Sequence, residues 1–79
     1  MTPREKTMLA VAAVAGRHQV RLGDLFERCR QAQYARARQE AYAVLHDAGW
    51  SLHAIGGFFD RDHTTVMRGI ATHKRRVAA

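Results

Sequence analysis

Apolar residues recur along this 79-residue chain at helical spacing. Ala37, Ala41, Val44, Leu45 and Ala48 fall at i, i+4, i+7, i+8 and i+11, lining one face of a helix, while Arg36, Gln39, Glu40 and Asp47 fall largely off it. Gly49 marks the end of that helix. Ser51 then caps a helix to about Phe58, with Leu52, Ile55 and Phe59 as its apolar face. After a brief turn at Asp60-Arg61, Asp62 caps a last helix that turns Val66, Ile70 and His73 inward. Upstream, Thr2-Pro3-Arg4-Glu5 has the form of a capping box with proline at the first helical position, and Gly16 is the expected stop after about Ala15. A short helix over Gly23 to Arg28 turns Leu22, Leu25 and Phe26 inward, and Cys29 to Tyr34, lacking an apolar period, is expected to be a loop. No stretch alternates long enough to form a strand. The pattern predicts an all-α fold, a compact bundle of about five helices in one domain over residues 1–79.

Size and composition narrow the function. A domain of this length buries only about 60% of its unfolded surface, which leaves no room for a catalytic domain with a separate cofactor lobe. The single cysteine, Cys29, excludes an internal disulfide and a cysteine-based zinc site, as expected of a protein in a reducing cytoplasm. Met8 to Ala15, the longest apolar run, is far shorter than the ~20 residues of a membrane span. Paired carboxylates, a nucleophile elbow, metal-ligand spacing and a Gly-x-x-x-x-Gly-Lys phosphate loop are all missing from the sequence. The expectation is a non-enzyme without cofactor, metal, nucleotide or membrane partner.

Charge changes the picture further. Lys and Arg number 13 against 7 Asp and Glu, a net charge of +6. The excess lies in two blocks. Arg17, Arg21, Arg28, Arg30, Arg36 and Arg38 are opposed only by Asp24 and Glu27, while Arg61, Arg68, Lys74, Arg75 and Arg76 are opposed by Asp60 and Asp62. An acidic stretch separates them. Two basic blocks predict two contact regions for one polyanion, and nucleic acid is the favoured partner.

The helices over about 51–59 and 62–75, joined by a turn of a few residues, have the layout of a helix-turn-helix. In that motif the second helix enters the major groove and its N-terminal residues reach base edges. Here those residues are Asp62, His63, Thr64 and Thr65. Asp accepts from a cytosine amino group, His donates or accepts, and Thr offers a hydroxyl and a methyl. Asp62 serves as a helix cap in any case, which is compatible with base contact. Met67 suits either the core or a thymine methyl, and the sequence leaves that open. An RNA-binding role is weaker, because Tyr34 is the only aromatic residue of a basic segment not expected to turn inward.

The string Arg61-Asp62-His63-Thr64-Thr65-Val66, preceded by Ser51-Leu52-His53-Ala54-Ile55-Gly56, by Arg36-Ala37-Arg38-Gln39 and by Val20-Arg21-Leu22-Gly23-Asp24-Leu25, resembles the C-terminal DNA-binding domain of the bacterial replication initiator DnaA over about residues 7–76. The resemblance implies sequence-specific binding of double-stranded DNA at DnaA-box-like sites. It places Arg30, on a basic loop, in the minor groove and Asp62, His63, Thr64 and Met67 at bases in the major groove. Arg28, Arg38, Gln39, His46, Arg61, Thr65 and Arg68 fall on backbone positions. A nucleoid-associated cytoplasmic location follows, as does a role in transcription regulation or in competition with the initiator at its sites.

The chain departs from the family pattern at several points. His53 stands where family members often place a proline, and His46 matches a phosphate-contacting lysine, implying weaker or pH-sensitive contact. The turn before Arg61 is one residue shorter than in many initiators, and the chain stops soon after Arg76. Without an ATPase module, a free-standing reading head is expected. The competing expectation is a protein-interaction adaptor for the replication initiator or RNA polymerase, using the apolar surface of Met8 to Ala15.

Overall fold

A computed structural model describes residues 2–27 and 32–78. The described residues form four α-helices and one 3-10 helix, with no strand: α1 (Pro3–Arg17), the 3-10 helix (Leu22–Phe26), α2 (Ala32–Asp47), α3 (Leu52–Phe59) and α4 (His63–Ala78). The all-α fold is therefore as expected, except that the second of the five expected helices is a single 3-10 turn. Tyr34, expected in a loop, already lies in α2, which begins at Ala32; the part of that loop from Cys29 to Gln31 falls outside the described residues. The start of α2 carries no apolar stripe, so periodicity was blind to it.

Each helix end has a local cause. Thr2 Oγ1 accepts from the Glu5 N–H at 3.2 Å and Glu5 Oε2 accepts from the Thr2 N–H at 3.2 Å, closing the capping box that starts α1. Ser51 Oγ accepts from the Ala54 N–H at 3.1 Å at the start of α3. The end of α1 differs from expectation: the helix runs through Gly16 to Arg17, and Gln19 takes the left-handed conformation at φ 56°. Its N–H bonds the Gly16 carbonyl, and the Val20 N–H bonds that of Ala15, a Schellman closure. Gln33 Nε2 donates to the His18 and Gln19 carbonyls, which braces that turn from α2. Gly49, at φ 102°, ends α2 by the same pair of bonds, from Gly49 to His46 and from Trp50 to Leu45.

The core runs through the middle of the bundle. α2 lies centrally, packed on α1, α3, α4 and the 3-10 helix. Val11 and Val14 of α1, Leu25 of the 3-10 helix, Ala37, Ala41 and Leu45 of α2, Ile55 and Phe59 of α3, and Val66 and Ile70 of α4 are buried together. Each large apolar side chain so buried contributes about 1.5–3 kcal/mol. Of the helix-two stripe read from the sequence, Val44 is half-buried and Ala48 exposed. Five aromatic rings stiffen the side of the core beneath α3. Phe26 stacks on Phe59 at 5.1 Å, Tyr42 meets Phe59 edge-on at 5.2 Å, and Trp50 meets Phe58 edge-on at 5.5 Å.

A separate ion-paired lock joins α1 to α2. Arg17 and His18 converge on the Glu40 carboxylate: Arg17 Nε donates to Oε2 at 2.9 Å, with a second donation from its Nη2, and His18 Nε2 lies 3.2 Å from Oε1. Burial would raise the Glu40 carboxyl, but hydrogen bonds and charge from Arg17 and His18 outweigh it and hold the group below its ordinary value.

Candidate nucleic-acid interface

α3 and α4 are joined by the short segment Asp60, Arg61 and Asp62, and its geometry decides how α4 is presented. Asp60 ends α3 in the left-handed conformation, φ 54° and ψ 52°. Asp tolerates that region better than most residues, so no glycine is needed there. The Arg61 N–H returns to the Gly56 carbonyl at 2.8 Å. Gly56 is where glycine is required: a Cβ there would stand 2.5 Å from the Arg61 carbonyl oxygen. The Asp62 carbonyl accepts the first bond of α4, from the Val66 N–H at 3.1 Å, which places Asp62 at the N-cap as expected.

α4 buries one stripe and exposes the rest. Val66, Gly69 and Ile70 face the bundle. Asp62, His63, Thr65, Met67 and Arg68 are exposed and Thr64 is partly buried, so the side chains expected to read bases or backbone gather at the leading end of one helix. Met67, left open between core and surface, is 49% exposed and therefore belongs to the surface. His73, expected to face inward, is only half-buried.

Close approach of α4 to α2 shapes a groove. A Cβ on Gly69 would stand 2.8 Å from the Tyr42 ring, so the missing side chain lets the two helices meet there. Gln39, Tyr42, Arg61, Thr65 and Arg68 line the groove beside this contact. Arg76 Nη2 spans it, donating to Gln39 Oε1 at 2.9 Å. Burial raises the Tyr42 phenol above its ordinary value, with the Arg38 and Arg61 cations opposing the shift.

Two arginines expected at the DNA backbone are tied into the protein. Arg38 is only 9% exposed, and its Nη1 donates to the Glu27 carbonyl at 3.0 Å. Arg61 Nη2 donates to that same carbonyl at 2.8 Å, while its Nη1 donates to the carbonyls of Phe59 and Asp60. One guanidinium thus connects the helix-turn-helix turn to the segment leaving the 3-10 helix. Sequence reasoning missed this role because carbonyl acceptors leave no trace in residue type. Tyr42 was missed for a similar reason, since its ring matters only where Gly69 meets it. Arg28, Cys29 and Arg30, the last expected in the minor groove, lie outside the described residues.

The remaining expectations divide. His46 is exposed near the end of α2, seven residues and so two turns beyond Gln39 on the same face, and its Nδ1–H donates to the Trp50 carbonyl at 3.1 Å. Of the surface invoked for an adaptor, Val11, Val14 and Ala15 are buried, Leu9 and Ala13 are exposed, and Met8, Leu9 and Ala12 line an open pocket beside Leu22. Among the described residues, no group of three or more His, Cys, Asp or Glu side chains is placed to hold a metal ion. No described helix is long and apolar enough to cross a membrane.

The charge is arranged unequally. Among the described residues, ion pairs engage Arg17 and Arg21 of the first basic block, with Glu40 and Asp24, whereas none engages Arg61, Arg68, Lys74, Arg75 or Arg76. No curated protein and no solved structure gives a significant match to the chain. The profile of the family described as the bacterial DnaA protein helix-turn-helix matches residues 9–72, from within α1 to within α4. With most of its length matched and the turn and helices in place, the chain belongs to the bacterial DnaA helix-turn-helix family, whose members point to DNA as its partner.

Proposed function

We propose that this chain binds double-stranded DNA sequence-specifically at DnaA-box-like sites and acts as a transcription regulator or a competitor of the replication initiator at those sites. The observation that carries this reading is the leading end of α4. There Asp62, His63 and Thr64 stand at the start of a helix whose opposite side is packed and whose later exposed residues include Arg68, Lys74, Arg75 and Arg76, none of them ion-paired among the described residues. A helix so presented fits the major groove, with its first residues at base edges and the cations near phosphates. In this reading Gln39, Thr65 and Arg68 face the sugar-phosphate backbone along the groove and Met67 meets a base methyl. His46 adds a further backbone contact. Arg38 and Arg61 support the turn, and Arg30 supplies the second contact, in the minor groove, with Arg28 on the backbone.

Fluorescence anisotropy tests the proposal with a duplex carrying TTATNCACA against a scrambled duplex of equal length at physiological salt. Preference for the first is expected, and equal affinity overturns the specific claim. His63→Ala or Thr64→Ala should cost about 1–3 kcal/mol on the box duplex and narrow the gap to the scrambled one. Arg68→Ala should instead weaken both duplexes alike and reduce the dependence of log affinity on log salt by about one unit.

A further inference from the structure

α3 and α4 touch at their leading ends through two imidazoles. His53, in the first turn of α3, and His63, the first residue of α4, have ring centroids 4.3 Å apart and planes inclined at 32°. Both residues are exposed, so the pairing is not forced by core packing. On the edge of the His63 ring, Asp62 Oδ1 lies 3.3 Å from Nδ1. The carboxylate favours a proton on that nitrogen, which leaves Nε2 as the group free to meet a ligand.

An exposed histidine side chain ordinarily samples several rotamers, and ordering it on binding has an entropic cost. A ring supported on one face by His53 and on one edge by Asp62 has fewer rotamers open to it before any ligand arrives. Offset and tilted ring pairs are favourable beyond the area they bury. Nothing else in the described structure uses the His53 ring, and its place in the first turn of α3 gives it no part in the core.

We propose that His53 is a positioning residue for DNA recognition, which acts by stacking on His63 and preorganising that imidazole at the leading end of α4. The proposal rests on the reading of His63 as a base-contacting residue. His53 itself makes no base contact in this scheme; its effect on discrimination passes entirely through His63.

The test combines ring signals in the free protein with a double-mutant cycle on DNA. In the unbound chain, His53→Ala should move the His63 ring-proton NMR signals as the neighbouring ring current is lost, and His53→Phe should leave a ring-current shift in place. At pH 8, His53→Ala should reduce discrimination between the box and scrambled duplexes about three- to tenfold, and His53→Phe should restore it to within about twofold of the original. In a His63→Ala background, His53→Ala should have no further effect on discrimination. Unchanged His63 signals in His53→Ala, or an equal loss from His53→Ala with and without His63, would overturn the proposal. Equal affinity of the unaltered chain for both duplexes would instead overturn the DNA reading on which it stands, and the proposal with it, even where the ring signals show the stack.

Discussion

Residues 17–38 and 60–79 carry similar charge excesses in the sequence, +4 and +3, and among the described residues the two differ in how their cations are partnered. In the first stretch Arg17 is held by Glu40, Arg21 by Asp24, and Arg38 is drawn inside to the Glu27 carbonyl. In the second, Arg61 binds carbonyls, Arg75 and Arg76 bind neutral side chains, and no ion pair among the described residues cancels the positive charge. Net charge per segment therefore hides that Arg17 and Arg21 face carboxylates, while the described cations of the second stretch do not. A guanidinium bound to a carbonyl or an amide keeps its full charge for a distant polyanion, whereas one bound to a carboxylate does not.

The sharpest way to break this contrast is at the turn that presents α4. Gly56→Ala places a methyl 2.5 Å from a backbone oxygen that is itself held by the turn, so it should lower unfolding stability by about 3 kcal/mol or force α3 and α4 apart. A urea melt reads this directly, and an unchanged midpoint would show that the turn gives way freely.

Exchanging the two kinds of arginine is the next test. Arg38→Ala removes a nearly buried charged donor and should cost about 1.5–3 kcal/mol of stability. Arg68→Ala, at an exposed site, should change stability by less than about 0.5 kcal/mol while weakening DNA binding. If Arg38→Ala were neutral in stability and selective against DNA, the two blocks would be equivalent after all.

Acid titration probes the α1–α2 lock. Because the folded-state Glu40 carboxyl is held below its ordinary value of 4.5, its contribution is fully present above that pH and is lost as pH falls through the folded value. Glu40→Gln should cost about 1 kcal/mol at pH 7, discounted for the exposed Arg17 side of the pair, and the difference should close as pH falls through the lowered folded-state value. Urea midpoints from pH 7 to pH 3 measure it; a gap independent of pH would remove the ionic lock.

The smallest effects belong to open positions. Gly16→Ala, with nothing within 4 Å of the added methyl and a helical place in the last turn of α1, should raise stability by about 0.4–1 kcal/mol. A decrease would show that the end of α1 needs the freedom of glycine, as sequence reasoning assumed when it stopped the helix there.

Helix ends show why the legibility of the fold was uneven. The rule that glycine ends a helix found Gly49 but misplaced the end of α1, because Gln19 supplies the left-handed residue there and Gln33, on another helix, completes the turn. At α3 the same role falls to Asp60. The capping boxes and apolar stripes were readable because their causes lie within a few residues along the chain. Arg38 was not: it sits beside Ala37 and looks like surface until the 3-10 helix brings a carbonyl to it.

The candidate site divides along the same line. Its residue types, their concentration at the start of α4 and the family resemblance were all written in the sequence. The His53–His63 stack, the Arg61 bridge to Glu27 and the meeting of Gly69 with Tyr42 were not, since each joins residues on different elements. The amino-acid sequence by itself determined an all-helical fold and a polar, basic leading helix, because helical period, caps and charge are local properties. Only the tertiary structure decided which arginines face solvent, how closely α4 approaches α2 and what holds His63 in place, because burial and partner geometry depend on residues far apart in the chain.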